Sequence, residues 1–364
     1  MNFFTKIFRN FGIRVELGEI ICWNKRKSYF KFFIGGIEYD TKKIAELCGC
    51  SVSTVSKAFS GCKEIREDKA EKIFAAAREL GCYDKYYKGK SRRKTIGLLF
   101  PEAASEFYGR QIDMLEREIY ERGADTVVGI TRFDGERTAR LFNSFAFGMK
   151  VDGIILSGDE SLIRNPDQIP LVCFHKPQNK KNPANADYLS IDYKGGLLKL
   201  CELIKEYGHT NVGFIGEPYT KYKMIHLCEA LRKCGLPVHE SFFYISRHRF
   251  AEAGEDGFAH LAKEKVLPDV IVTGYDQIAF GAIRCAKKLG IRIPEDVSIV
   301  GIDDITATDF IDVPLTSLHV HTESACKTVV DLLFKRIDNR NYRENREFVI
   351  PLSVNIRESL AKKK

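Results

Sequence analysis

Seven short apolar runs recur through the last three quarters of the chain: TIGLLF (95–100), ADTVVGI (124–130), DGIILSG (152–158), PLVCFH (170–175), NVGFIG (211–216), DVIVTG (269–274) and VSIVGID (297–303). Each is nearly continuous in hydrophobicity rather than alternating, the mark of a strand buried on both faces. Strands of that kind pair in parallel. Parallel neighbours need a crossover connection, and the segments between the runs have the length and polarity for one helix each. The pattern therefore predicts an α/β body of parallel sheets. Seven strands divide naturally between two successive sheets, and a cleft between two such lobes would suit a small molecule. At 364 residues with 44% hydrophobic content, the chain can fill two or three cores.

The front of the chain is of another kind. Residues 1–95 carry 21 Lys/Arg against 11 Asp/Glu, whereas residues 96–364 carry 36 against 38, so the excess of positive charge lies at the front. A basic front on a near-neutral body places any polyanion contact in the first quarter. There the stretch IEYDTKKIAELCGCSVSTVSKAFSGCKEIREDKAEKIFAAARELG (37–81) fits three helices. Asp40 or Thr41 can cap the first, which stops at Gly49. Ser51 can cap the second, which runs to Phe59, and the third starts on Glu67 and Asp68 and stops at Gly81. Only Gly49 and Cys50 separate the first two, so they must cross steeply, as in a helix-turn-helix unit. CYDKYYKGKSRRK (82–94) reads as a linker.

The run KIAELCGCSVSTVSKAFSG resembles the DNA-binding head of the lactose-repressor (LacI/GalR) family of bacterial transcription regulators. PDVIVTGYDQIAFGAIRCAKKLGIRIPEDVSIVGIDD, followed by VPLTSL, resembles that family's effector-binding core, as do GHTNVGFIG and the closing LSVNIRESL. The likeness runs in consistent order over roughly residues 38–360. It implies an N-terminal three-helix helix-turn-helix domain (37–82), a hinge (83–95) and a periplasmic-binding-protein-like core of two parallel α/β lobes (96–360). The lobes would be roughly 96–192 plus 318–340, and 193–317 plus 345–360. It also implies a regulator that acts as a homodimer on operator DNA, under control of a sugar or sugar derivative.

A recognition helix lays its first turn against base edges while hydroxyls at its start hold phosphates. By match to the family, Val52, Ser53 and Lys57 fall at base-reading positions, and Ser51, Thr54 and Ser56 at phosphate contacts. Val55 and Phe59 face inward. In the core, Asp276 matches an acidic residue that binds ligand hydroxyls, and Phe107 and Tyr108 match an aromatic lining. The departures concern Lys223, where many members have Arg, His175 and Lys176 in place of an Asp-Arg pair, and Tyr275 in place of Asn. Lys does not reproduce a guanidinium fork. Two or three positive or titratable groups near Asp276 lead us to expect a hydroxylated effector with an acidic or phosphate group. The hinge differs too: relatives wedge a leucine into the minor groove, and here the bulky candidates are Tyr86 and Tyr87.

Other chemistries lack their signatures. The spacing of Cys48, Cys50, Cys62 and Cys82 is poor for zinc, His319 and His321 have no visible third ligand, and we expect no metal or cofactor. Neither a phosphate loop nor a G-x-S-x-G elbow occurs, so we assign no catalytic residue and expect no enzyme. A solute-binding module without DNA function and an α/β enzyme remain as alternatives. No run of about 18 to 20 uncharged apolar residues could span a membrane, and the charged start lacks a secretory core, so we expect a cytoplasmic protein with reduced cysteines. Residues 1–36, including the basic and aromatic NKRKSYFKFF, match nothing in the family and form an extension.

Overall fold

The computed structural model describes residues 36–59, 62, 64–83, 93–158, 161–165, 169–174, 185–339 and 344–363. The extension, apart from Gly36, and the hinge candidates Tyr86 and Tyr87 lie outside them. The chain divides into two compact units, 1–92 and 93–364.

In the first unit, α1 (Gly36–Leu47), α2 (Val52–Phe59) and α3 (Glu67–Glu79) follow one another. The first helix begins four residues before Asp40, so neither Asp40 nor Thr41 caps it; nothing in the preceding Ile-Glu-Tyr forbids helical backbone, and the turn extends upstream. Gly49 and Gly81 end α1 and α3 at φ of +57° and +65°, a conformation that costs a glycine little. The three helices close over Ile44, Val55, Phe59, Ile73 and Ala77, with Cys48 and Cys50 packed against them. These two cysteines serve as small apolar wedges, and Phe59 meets Phe74 at 5.1 Å between ring centroids.

The second unit contains β1 (Lys94–Phe100), α4 (Glu106–Glu121), β2 (Ala124–Ile130), α5 (Gly135–Asn143), β3 (Gly153–Ser157), β4 (Leu171–Phe174), β5 (Asp187–Asp192) and α6 (Tyr193–Glu206). There follow β6 (Val212–Gly216), α7 (Lys221–Cys234), β7 (Phe243–Ile245), α8 (Phe250–Leu261), β8 (Val270–Thr273), α9 (Asp276–Lys288), β9 (Ser298–Asp303), β10 (Thr316–Val320), α10 (Thr322–Asp338) and β11 (Glu347–Asn355). All seven expected runs are strands, joined by β5, β7, β10 and β11. The strand order is β2-β1-β3-β4-β5-β11-β10-β9-β8-β6-β7. Every pairing is parallel except that of β10 with β11. This antiparallel pair departs from the purely parallel expectation.

Strand β11 is the seam between two lobes. Its first half pairs with β5 up to Pro351 and its second half, from Leu352, pairs with β10. Proline offers no N–H to a ladder, which suits the residue where partners change. Residues 318–320 were expected in the first lobe but belong to β10, bonded to β9 of the second; the crossing falls near His321 instead. Helix α10 does return to the first lobe, where Val329, Val330 and Leu333 share a core with Ile96, Leu98 and Phe100. Leu200, Val212, Phe214 and Leu231 fill one side of the second lobe, and Phe258, Ile271, Ile278 and Ala282 the other. Among the described residues, no helix is long and apolar enough to cross a membrane.

Candidate functional sites

On the head, α2 separates into two faces. Val55, Ala58 and Phe59 are buried, while Ser51, Val52, Ser53 and Lys57 are exposed and Thr54 and Ser56 are half-buried. Ser51 caps the helix: its Oγ accepts from Thr54 N at 3.1 Å and lies 2.8 Å from Thr54 Oγ1. The two hydroxyls therefore sit together at the positive end of the helix, where an anion is favoured. Lys57 Nζ reaches Glu64 at 2.7 Å across exposed surface, a pairing that water and salt screen strongly.

In the core, the loops after the carboxyl ends of strands from both lobes line one cleft, the usual place for a ligand in open α/β sheets. After β1, Ser105 caps α4 through Tyr108 N and so fixes Phe107 and Tyr108 beside Glu102. After β2 stands Phe133. From the second lobe come Glu217, Tyr219, Tyr222 and Lys223 after β6, Arg249 and Phe250 after β7, Tyr275 and Asp276 after β8, and Asp303 at the end of β9. Phe133, Phe250 and Asp303 hold φ of +58°, +55° and +105°, unfavourable for side chains with a Cβ. Strain gathered at three residues of one cleft is a mark of a functional site.

The charged groups are largely paired. Lys223 is only 4% exposed; its Nζ donates to Gly274 O at 2.8 Å and to Asp303 Oδ1 at 3.3 Å, and lies 4.7 Å from the Tyr193 ring centre. Burial, offset in part by Lys223, pushes the Asp303 carboxyl up to about 6. Arg249 crosses the cleft, its NH1 and NH2 donating to the two Glu102 oxygens at 2.6 and 3.0 Å. Phe133 and Tyr219 stack from opposite lobes at 4.0 Å. Thr306 N donates to Glu106 Oε1 at 2.8 Å, a third link between lobes.

Five of the seven expected effector residues, Phe107, Tyr108, Lys223, Tyr275 and Asp276, line this cleft; His175 and Lys176 lie outside the described residues. Asp276 is 1% exposed, with Oδ1 accepting from Ser317 Oγ at 2.6 Å and Oδ2 from Ile305 N at 2.8 Å. Burial and the nearby Asp303 hold its carboxyl above the usual range. One oxygen thus holds β10 and the other the loop after β9, while the side chain lines the cleft. Tyr275 braces the other wall, its hydroxyl accepting from Phe250 N at 2.9 Å. Glu102, Phe133, Glu217, Arg249 and Asp303 were not singled out from sequence. Glu102 and Arg249 stand 147 positions apart, and nothing local to either announces the other.

The lining also bears on the acidic effector expected. Among the described residues, four carboxylates (Glu102, Glu217, Asp276, Asp303) stand against Lys223 and Arg249, and both cations already have carboxylate partners.

A periplasmic-binding-protein-like domain model matches residues 202–360. The ribose operon repressor of Escherichia coli (strain K12) is 26% identical over 326 residues, covering 85% of this chain and 97% of that protein. The solved structure of the transcriptional regulator CelR in complex with cellobiose superposes with a TM-score of 0.63 and 25% identity, covering 88% of this chain and 99% of that one. The lac repressor dimer bound to operator and the anti-inducer ONPF gives 0.68 at 20% identity, covering 87% and 97%.

Proposed function

Because this chain belongs to the lactose-repressor (LacI/GalR) family of transcription regulators, we propose that it is a sequence-specific DNA-binding repressor whose operator affinity is set by a small molecule held between the core lobes. The observation that carries this reading is the two-faced α2, with its hydroxyl-capped start outside and Val55 and Phe59 inside. Val52, Ser53 and Lys57 read base edges; Ser51, Thr54 and Ser56 hold phosphates. In the cleft, Phe107, Tyr108, Lys223, Tyr275 and the newly found Asp303 and Arg249 surround a hydroxylated ligand, a sugar or sugar derivative, with Asp276 holding the wall. The relatives support that class: CelR is solved with cellobiose. Ligand acts on DNA only through its unequal affinity for the open and closed lobes, a coupling of about 1 to 3 kcal/mol.

Selection of a duplex from a random library, followed by fluorescence anisotropy with the full chain, tests the assignment. A preferred sequence should emerge. Lys57→Ala should relax discrimination by about 1 to 3 kcal/mol, since the Glu64 pairing it also breaks is exposed and weak, whereas Thr54→Ala should weaken all duplexes alike. Failure to bind any duplex above random DNA would refute the reading.

A further inference from the structure

The guanidinium of Arg249 is seated as a bound cation would be. Its central carbon lies 4.6, 5.2 and 5.4 Å from the ring centres of Phe250, Phe133 and Tyr219. Glu102 grips it bidentately, and Glu217 Oε2 lies 3.8 Å from its Nε. That Nε is shut off from solvent and makes no hydrogen bond. A ring of aromatic faces closed by carboxylates is the chemistry that recognises ammonium and guanidinium groups, because the ring quadrupole and the carboxylates attract positive charge together. The second cation of the cleft repeats the arrangement, Lys223 lying over Tyr193 and against Asp303. The wall as a whole still carries more carboxylates than cations among its described residues.

We propose that the cleft selects a hydroxylated ligand bearing a positive charge, an amine-substituted sugar or polyol, and that Arg249 is a tethered stand-in which this ligand displaces from its seat. The proposal rests on the effector reading above and narrows it. The strained backbone of Phe133 and Phe250, both of which face the seat, is the cost of building it. Displacement of Arg249 releases its bridge to Glu102 across the lobes, which ties occupancy of the seat to lobe movement.

Titration calorimetry of the full chain in phosphate buffer at neutral pH, with glucosamine, glucose and glucuronate as probes, tests this. Glucosamine should bind at least tenfold more tightly than glucose, and glucuronate should not bind. Arg249→Met removes the competitor and should tighten glucosamine about tenfold, while Arg249→Lys, which keeps a tethered cation, should stay within about threefold of the parent. The proposal is overturned if glucose or glucuronate matches glucosamine, if none of the three binds, or if Arg249→Met weakens glucosamine. Operator anisotropy on the same samples separates the two levels: intact DNA binding with any of those outcomes removes the cation seat alone, and absent DNA binding removes the repressor reading.

Discussion

Asp303 shows how one residue can carry both a cost and a function. Its left-handed backbone and its carboxyl, raised to about 6 by burial despite Lys223, both oppose the folded state at neutral pH. A carboxyl whose folded value lies above its unfolded value, about 3.9, binds more protons when folded. Its contribution to stability is therefore fully present below pH 4 and is lost as pH rises through about 6. Other carboxyls act in the opposite sense; Asp304, although buried, is held low by Arg357 and His319 and stabilises as pH rises. The informative quantity is thus a difference. The stability of Asp303→Asn relative to the parent should rise between pH 4 and 6.5 in denaturant titrations, because the variant lacks the loss. A flat difference would mean that Asp303 titrates normally.

Among the helices, α8 and α9 set the second wall of the cleft by packing backbone on backbone. A Cβ on Gly254 would lie 1.9 Å from Ile278 O and 2.6 Å from Ala282 N, and one on Gly281 would lie 1.8 Å from Ala251 O. Neither backbone can yield as a flexible side chain could. Gly254→Ala should therefore part the helices and destabilise by about 1 to 3 kcal/mol, and strain the Phe250–Tyr275 hydrogen bond at their starts. Gly148→Ala, whose added Cβ meets only Ser144 Oγ at 3.9 Å, should change little by the same denaturant measurement. None of this was legible in the sequence, where nothing local to Gly254 or Gly281 announces the other helix. Six of the seven strands were legible because both faces of each are covered and the runs are apolar, whereas β2, an edge strand with Asp125 and Val128 exposed, was legible from its apolar run alone. Of the other four, β5 contains Ser190 and Asp192, β10 contains Ser317 and His319, and β7 is only three half-buried residues long at the sheet edge. Pro351 hid β11, since its ability to sit in a strand depends on a change of partner that only the tertiary structure supplies. The cleft was half legible for a similar reason. Aromatic residues after a strand can be matched one segment at a time, but the Glu102–Arg249 bridge exists only once both lobes are in place.

At the scale of the whole molecule, the size of the head argues for assembly. An α2 of eight residues can present only a few side chains to a groove, and each base contact is worth about 1 to 3 kcal/mol. That falls short of the roughly 4 to 10 kcal/mol by which regulators of this kind separate their sites from bulk DNA. Two heads on one pseudo-palindrome supply the difference, because their contacts add while the loss of free motion is met once. We therefore expect a homodimer held through the core lobes. Apolar side chains left exposed on that unit, Tyr120 and Val128 on the first lobe and Phe310 on the second, are available to such a contact. Analytical ultracentrifugation at micromolar concentration without DNA should show the dimer. Dilution below its dissociation constant should lower operator affinity, and the footprint should cover two half-sites about one helical turn apart or a multiple of it. A chain that sediments as a monomer throughout and keeps full operator affinity would show instead that a single head suffices.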